Sequence, residues 1–184
     1  GCTGADFVIW MVIVGMYCIW IFRKCLINSF QSQLTVKNMK RLEFTIEINA
    51  LKEKIWQSLW EDASYRNWAS VFCEGTYAKS NWNEGDSIYF LSADGRGMNS
   101  VIDKKVENQY IAFKHISEMK DFEPQPVDEA ASEWSGGMEI YELIPNQSSV
   151  TLKVLMDTLE KYIEYFETTF PKALERVKEL SEIN

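Results

Sequence analysis

Between Thr76 and Met156 the chain is a succession of short alternating runs whose connections, with one exception, are only a few residues long. Such connections cannot hold a crossover, so neighbouring runs must return antiparallel to one another. The strand-like runs are Thr76 to Ser80, Ser87 to Leu91, Met98 to Val106, Tyr110 to Met119, Gly137 to Ile144 and Val150 to Met156. Turn sequences separate them: Asn83-Glu84-Gly85-Asp86, Ala93-Asp94-Gly95-Arg96-Gly97 and Pro145-Asn146-Gln147-Ser148. The exception is the segment 120 to 133, acidic and carrying Pro124 and Pro126, which reads as a loop. Upstream, Leu42, Phe44, Ile46 and Ile48 alternate with Glu43, Thr45 and Glu47 and add a seventh strand with one buried face.

Two short helices follow that first strand. Asn49 is positioned to cap one carrying Leu51, Ile55, Trp56, Leu59 and Trp60, and Asp62 to cap another carrying Tyr65 and Trp68. The chain closes with a long amphipathic pattern in which Leu159, Tyr162, Ile163, Phe166, Phe170, Leu174, Val177 and Leu180 share one stripe. Pro171 lacks the amide that would bond the Glu167 carbonyl, which predicts a kink or a restart there. The order β-αα-β6-α describes an α+β domain: a seven-stranded antiparallel sheet against one long C-terminal helix.

Charge and side-chain inventory exclude several function classes. Nineteen Lys and Arg against 27 Asp and Glu leave a net charge of −8, with the bases spread out, which argues against a nucleic-acid partner. Four Cys without C-x-x-C spacing and a single His supply too few soft ligands for a zinc or other metal centre. They give no disulfide framework either, so a reducing, cytoplasmic compartment fits. G-x-S-x-G, G-x-x-x-x-G-K and H-E-x-x-H are missing, and no cofactor is implied. Ser117-Glu118-Met119-Lys120 matches S-x-x-K without its companion motifs and is discarded.

Residues 1–38 differ in character from the domain that starts at Met39 and runs to Asn184. They hold Cys2, Cys18 and Cys25 and a balance of three bases against Asp6; the remainder has sixteen bases against 26 acids, a balance of −10. Phe7 to Phe22 is free of charge and proline, and the stretch 7–27 approaches the length of a membrane span if Arg23 and Lys24 snorkel. The basic pair would then keep the following domain in the cytoplasm. A cleaved signal fits worse, since no base precedes the apolar run. The alternatives are a membrane anchor and an upstream extension foreign to the protein.

The segments "TIEINALKEKIWQSLWEDASYRNW" (45–68), "EGDSIYFLSADGRGMNSVI" (84–102), "GGMEIYELIPNQSSVTLKVLMD" (136–157) and "FPKALERVKELSE" (170–182) together resemble the START-like or SRPBCC superfamily. Leu51 stands where that pattern usually has proline. The resemblance spans Met39 to Asn184 and is nearest to the subgroup similar to the heat-shock-protein-90 ATPase activator and to polyketide cyclases. It implies a helix-grip fold, with a sheet curved around the C-terminal helix and a cleft between them that takes apolar ligands.

The side chains expected to line that cleft are Trp68, Phe72, Met98, Phe113, His115, Trp134, Tyr141, Met156, Tyr162, Phe166 and Phe170. The simpler reading of most of them is solid core. His115 alternates with Phe113 and Ile111, so it faces inward if they do, where an imidazole can act as a base or bind a carbonyl. Glu139 shares a face with Tyr141 and Leu143, whereas Met138, Ile140 and Ile144 share the other, and the parity is open. An inward Tyr141 face would make Glu139 and His115 an acid–base pair able to enolise or dehydrate a carbonyl compound; otherwise Glu139 is a surface residue. Gly95-Arg96-Gly97 reads as a turn, Cys73 as a buried structural thiol, and Asn146-Gln147-Ser148 as a turn despite its glycosylation spacing.

Three functions follow. The first, preferred reading is binding of a small hydrophobic ligand or lipid in the cleft without a chemical step. The second is a cyclase or dehydratase using His115 with Glu139 or Tyr141. The third is a chaperone-activator-like interaction through the sheet and the acidic loop. Either a monomer or a homodimer suits all three.

Overall fold

The computed structural model describes residues 38–183; of the leader expected over 1–38, residues 1–37, with the candidate anchor 7–27, lie outside them. Strand β1 (Met39–Ile48) is followed by helices α1 (Lys52–Trp60) and α2 (Asp62–Ala69). Then come β2 (Tyr77–Lys79), β3 (Ser87–Leu91), β4 (Gly97–Val106) and β5 (Tyr110–Lys120). A two-residue strand β6 (Glu123–Pro124) and a helical turn α3 (Glu129–Ser132) lead to β7 (Met138–Pro145) and β8 (Val150–Leu159). A 3-10 turn (Glu160–Tyr162) starts the long helix α4 (Ile163–Glu182). All pairings are antiparallel in the order β1-β8-β7-β5-β4-β3-β2, with β6 on the end of β5. This is the helix-grip fold. Among the described residues no helix is long and apolar enough to cross a membrane.

The sheet buries one face. Phe113, Ile111, Tyr141, Leu143, Leu152, Val154 and Ile102 are all 2% exposed or less. Helix α4 covers part of that face with Phe170, Ala173, Leu174 and Val177, and the Phe170 ring stacks on Phe44 of β1 at 4.7 Å. Burying a side chain of that size stabilises by roughly 1.5–3 kcal/mol. Helices α1 and α2 close the other end through Ile55, Leu59, Trp60, Tyr65 and Trp68.

Several local expectations are corrected. The sheet has an eighth strand, because Pro124 and Glu123 pair with Met119 and Lys120. The acidic segment is accordingly not all loop, and Asp128 caps α3 by accepting from Ala131 N at 2.8 Å. Asn49 caps nothing: its amide donates to Glu182 Oε1 at 2.7 Å, and α1 starts after Leu51 without a side-chain cap. Asp62 lies inside α2, bonded to Arg66 one turn later. Leu159 and Tyr162 precede α4, because β1 starts at Met39 and its register holds β8 extended to Leu159. Pro171 sits within an unbroken α4.

Gly97 opens β4 with φ +152°, and a Cβ there would lie 1.8 Å from the Phe90 carbonyl oxygen. Only glycine lets the β3–β4 hairpin close so tightly. That hairpin brings Phe90, Arg96 and Met98 to the open end between sheet and α4.

Candidate ligand cavity and its polar wall

Sheet and helix do not meet everywhere. Two adjoining cavities of about 490 and 420 Å³ remain between them, sharing Arg96, Gly97, Met98, His115, Met156 and Phe166 as common wall. Trp68, Phe72, Phe113, Tyr141 and Phe170 line the larger, and Trp134 and Tyr162 line the smaller. Met98, His115, Met156 and Phe166 line both. Solid packing and lining are therefore not exclusive: Trp68, Phe113, Tyr141 and Phe170 belong to the core cluster with one side and face the void with the other. Tyr162 is the outermost, 48% exposed at the rim.

The lining also includes residues that sequence reasoning passed over. Trp60, Tyr65 and Phe90 line the larger cavity. Tyr65 precedes Trp68 by three positions and Phe90 follows the buried Ile88 by two, so spacing carried a signal for both. Arg96, read as turn, stands at the rim, and nothing in its local sequence pointed there. Cys73 lies exposed at the mouth rather than buried, since the chain leaves α2 there as a turn.

One wall is polar, and the register explains it. Ser100 pairs directly with His115, because Ile116 is an extra residue in β5 between the Ser100–His115 and Asn99–Ser117 pairs. Ser100 Oγ and His115 Nδ1 are 2.8 Å apart. On the other side of β5, Phe113 faces Glu139 and Ile111 faces Tyr141. The Glu139 carboxylate thus lies diagonally across from His115, its Oε2 3.4 Å from Nε2. Tyr141 Oη donates to Glu139 Oε1 at 2.5 Å. The open parity of β7 is resolved: Tyr141 and Leu143 are 2% exposed, whereas Ile144 is 38% exposed. Glu139, its side chain 18% exposed, is a cavity residue and not a surface one.

A carboxylate can only accept, so its position opposite Nε2 favours the tautomer with the proton on that nitrogen and leaves Nδ1 to the Ser100 hydroxyl. Burial, the Glu139 charge and the Glu139 hydrogen bond push the Tyr141 phenol well above its ordinary value. Burial, aided by Glu139, does the same to Tyr65. At the back of the smaller cavity Asp157 accepts Arg41 Nε at 2.7 Å and Nη2 at 2.8 Å, and the Met138 amide at 3.1 Å. Burial alone would raise the Asp157 carboxyl; Arg41 and the amide outweigh it and hold it below the usual carboxylate value. Among the described residues no group of three or more His, Cys, Asp and Glu is arranged to hold a metal.

No family model matches this sequence, and no curated protein matches it. Solved structures do match in shape. The solution structure of the Aha1 dimer from Colwellia psychrerythraea superposes with a TM-score of 0.61 at 19% identity, covering 79% of this chain and 98% of that one. Protein MLL2253 from Mesorhizobium loti gives 0.60 at 12% identity over 77% and 96%. CalU16 from Micromonospora echinospora gives 0.53 at 11% identity over 76% and 73%. At these identities the likeness is one of fold.

Proposed function

We propose that this domain binds a small hydrophobic molecule between the sheet and α4. The observation that carries the reading is a cavity of about 490 Å³ walled mainly by aromatic side chains, with His115, Glu139 and Tyr141 forming a polar wall. Pockets for small organic ligands have this size and this division of labour, apolar surface for affinity and a few polar groups for orientation. The fold likeness is compatible with it, and the composition argument for a reducing compartment adds a cytoplasmic setting. The test is native mass spectrometry of the whole chain expressed in a heterologous host, with release and identification of any adduct. A stoichiometric apolar adduct is expected. A clean apo mass together with no binding from a panel of lipids and polyketides would overturn the reading and favour a chaperone-type interaction through the acidic segment 120–133.

The Ser100–His115–Glu139–Tyr141 chain supports a second reading, a cyclase or dehydratase. Here Glu139, which lines the cavity, takes the proton next to a bound carbonyl, and His115 and Tyr141 hold the carboxylate in place. Loss of more than ~100-fold in kcat in Glu139→Gln would support this chemistry, and full activity in that variant would exclude it.

A further inference from the structure

The charge inventory of the cavity is one-sided. Glu139 is enclosed by the sheet and the aromatic wall, and its two oxygens receive only the Tyr141 hydroxyl and the distant His115 Nε2. Each carboxylate oxygen accepts more than one bond, so acceptor capacity is left over on the cavity side. No lysine lines either chamber, and the one arginine, Arg96, sits at the rim with its side chain 78% exposed and 3.6 Å from Asp94. Arg41, paired with Asp157 of the smaller chamber, is already bidentate on that carboxylate. The adjoining chamber adds Glu118 and Asp157, and the chain from Met39 onward carries ten more acids than bases.

The aromatic lining complements a positive charge in a second, independent way. Trp60 stands nearly perpendicular to Tyr141 at 4.9 Å and to Phe113 at 5.3 Å, and Trp68 stands perpendicular to Tyr65 at 5.1 Å. These rings pack edge to face on one another and also line the larger chamber, and aromatic ring surface attracts ammonium groups. A ligand carboxylate here would face Glu139 with no lysine or arginine beside it to offset the repulsion.

We propose that the occupant is a cationic aromatic, an aryl or arylalkyl ammonium whose nitrogen is held by Glu139 and whose ring lies against the aromatic lining of the larger chamber. This rests on the ligand-binding reading and narrows it from hydrophobic molecules in general to amines. Fatty-acid-like anions are disfavoured by Glu139; neutral ring systems enter without the charge-assisted bond.

The test is calorimetric titration of the whole chain at neutral pH with three size-matched probes: 2-naphthylmethylammonium, 2-methoxymethylnaphthalene and 2-naphthoate. The ammonium is expected to bind at least about tenfold more tightly than the neutral ether, and the carboxylate most weakly, in line with one charge-assisted hydrogen bond. In Glu139→Gln, checked for folding by circular dichroism, the ammonium-to-ether ratio is expected to fall to about one. Equal binding of ether and ammonium, or a preference for the carboxylate, in the native protein overturns the proposal while leaving the cavity reading intact. Binding of none of the three overturns the cavity reading itself. Should Glu139→Gln fail to fold, the ranking in the native protein alone decides.

Discussion

Glu139 and Tyr141 stand two residues apart on β7, and the Tyr141 hydroxyl donates to the Glu139 carboxylate along the same strand face at 2.5 Å. The period of a strand puts both on the cavity side, so the tyrosine holds the one acid of the larger chamber in its rotamer. The Tyr141 ring is itself fixed, 2% exposed and perpendicular to Trp60 at 4.9 Å.

Tyr141→Phe keeps the ring and removes this donor. A hydrogen bond to a charged group of this kind is worth about 1.5–3 kcal/mol, which sets the expected loss in urea-unfolding free energy. Glu139 also loses its fixed orientation, so affinity for the ammonium probe is expected to drop more than affinity for the ether. An unchanged unfolding midpoint together with an unchanged probe ratio would show that Glu139 is positioned without Tyr141.

The raised phenols of Tyr65 and Tyr141 set the alkaline limit of stability. Their folded-state values lie above the unfolded ones, so the contribution is complete below about pH 10 and is lost as pH climbs above it. In that range the unfolded chain has released protons that the folded chain retains, and stability falls with rising pH. Tyr65→Phe removes one of the two groups, so its melting temperature should decline less steeply between about pH 9.5 and 11.5. Tyrosinate absorbance in the folded protein should stay short of full titration until unfolding; complete reversible ionisation without unfolding would contradict the burial of both.

Asp157 sets the acid limit with the opposite sign. Its folded-state value lies below the unfolded one, so its contribution is present above about pH 4 and is lost as pH falls through the folded value. Asp157→Asn keeps the shape but forfeits the bidentate Arg41 pair between β1 and β8. The variant is expected to be less stable than the native chain at neutral pH and to converge with it toward about pH 2, in chemical unfolding followed by tryptophan fluorescence. A difference that is constant across this range would assign the loss to packing rather than to the ion pair.

The sheet was readable in the sequence because its evidence is local: short turns and period-two alternation in β1, β3 and β5. β7 was not, because Met138, Ile140 and Ile144 on one side and Tyr141 and Leu143 on the other are equally apolar. Only pairing with β5, which sets Tyr141 opposite the buried Ile111, decides between them. The cavity was legible as a set of residues and not as a space. Alternation tells which face of Phe113 or Met156 is inward, but whether α4 touches that face depends on packing between segments far apart in the chain. The Ile116 bulge that brings Ser100 to His115, and the pairing of Arg41 with Asp157, depend on register and left no trace in either local sequence.

Phe166 separates occupancy of the cavity from integrity of the fold. It lines both chambers and is only half-buried, touching Phe170 at 5.9 Å and Tyr165 at 5.1 Å between ring centroids, whereas the structural contacts of α4 are made lower down by Phe170, Leu174 and Val177. Phe166→Trp adds volume at the junction of the chambers, and Phe166→Arg places a cation there. Both are expected to change the unfolding free energy by less than about 1 kcal/mol, as half-exposed positions usually do. Trp should reduce uptake of every probe by steric filling. Arg should abolish binding of the ammonium through like-charge repulsion while weakening 2-naphthoate least, because the new guanidinium supplies the cation the native cavity lacks. Unchanged uptake of all three probes in both variants would mean that the ligand does not enter between the sheet and α4.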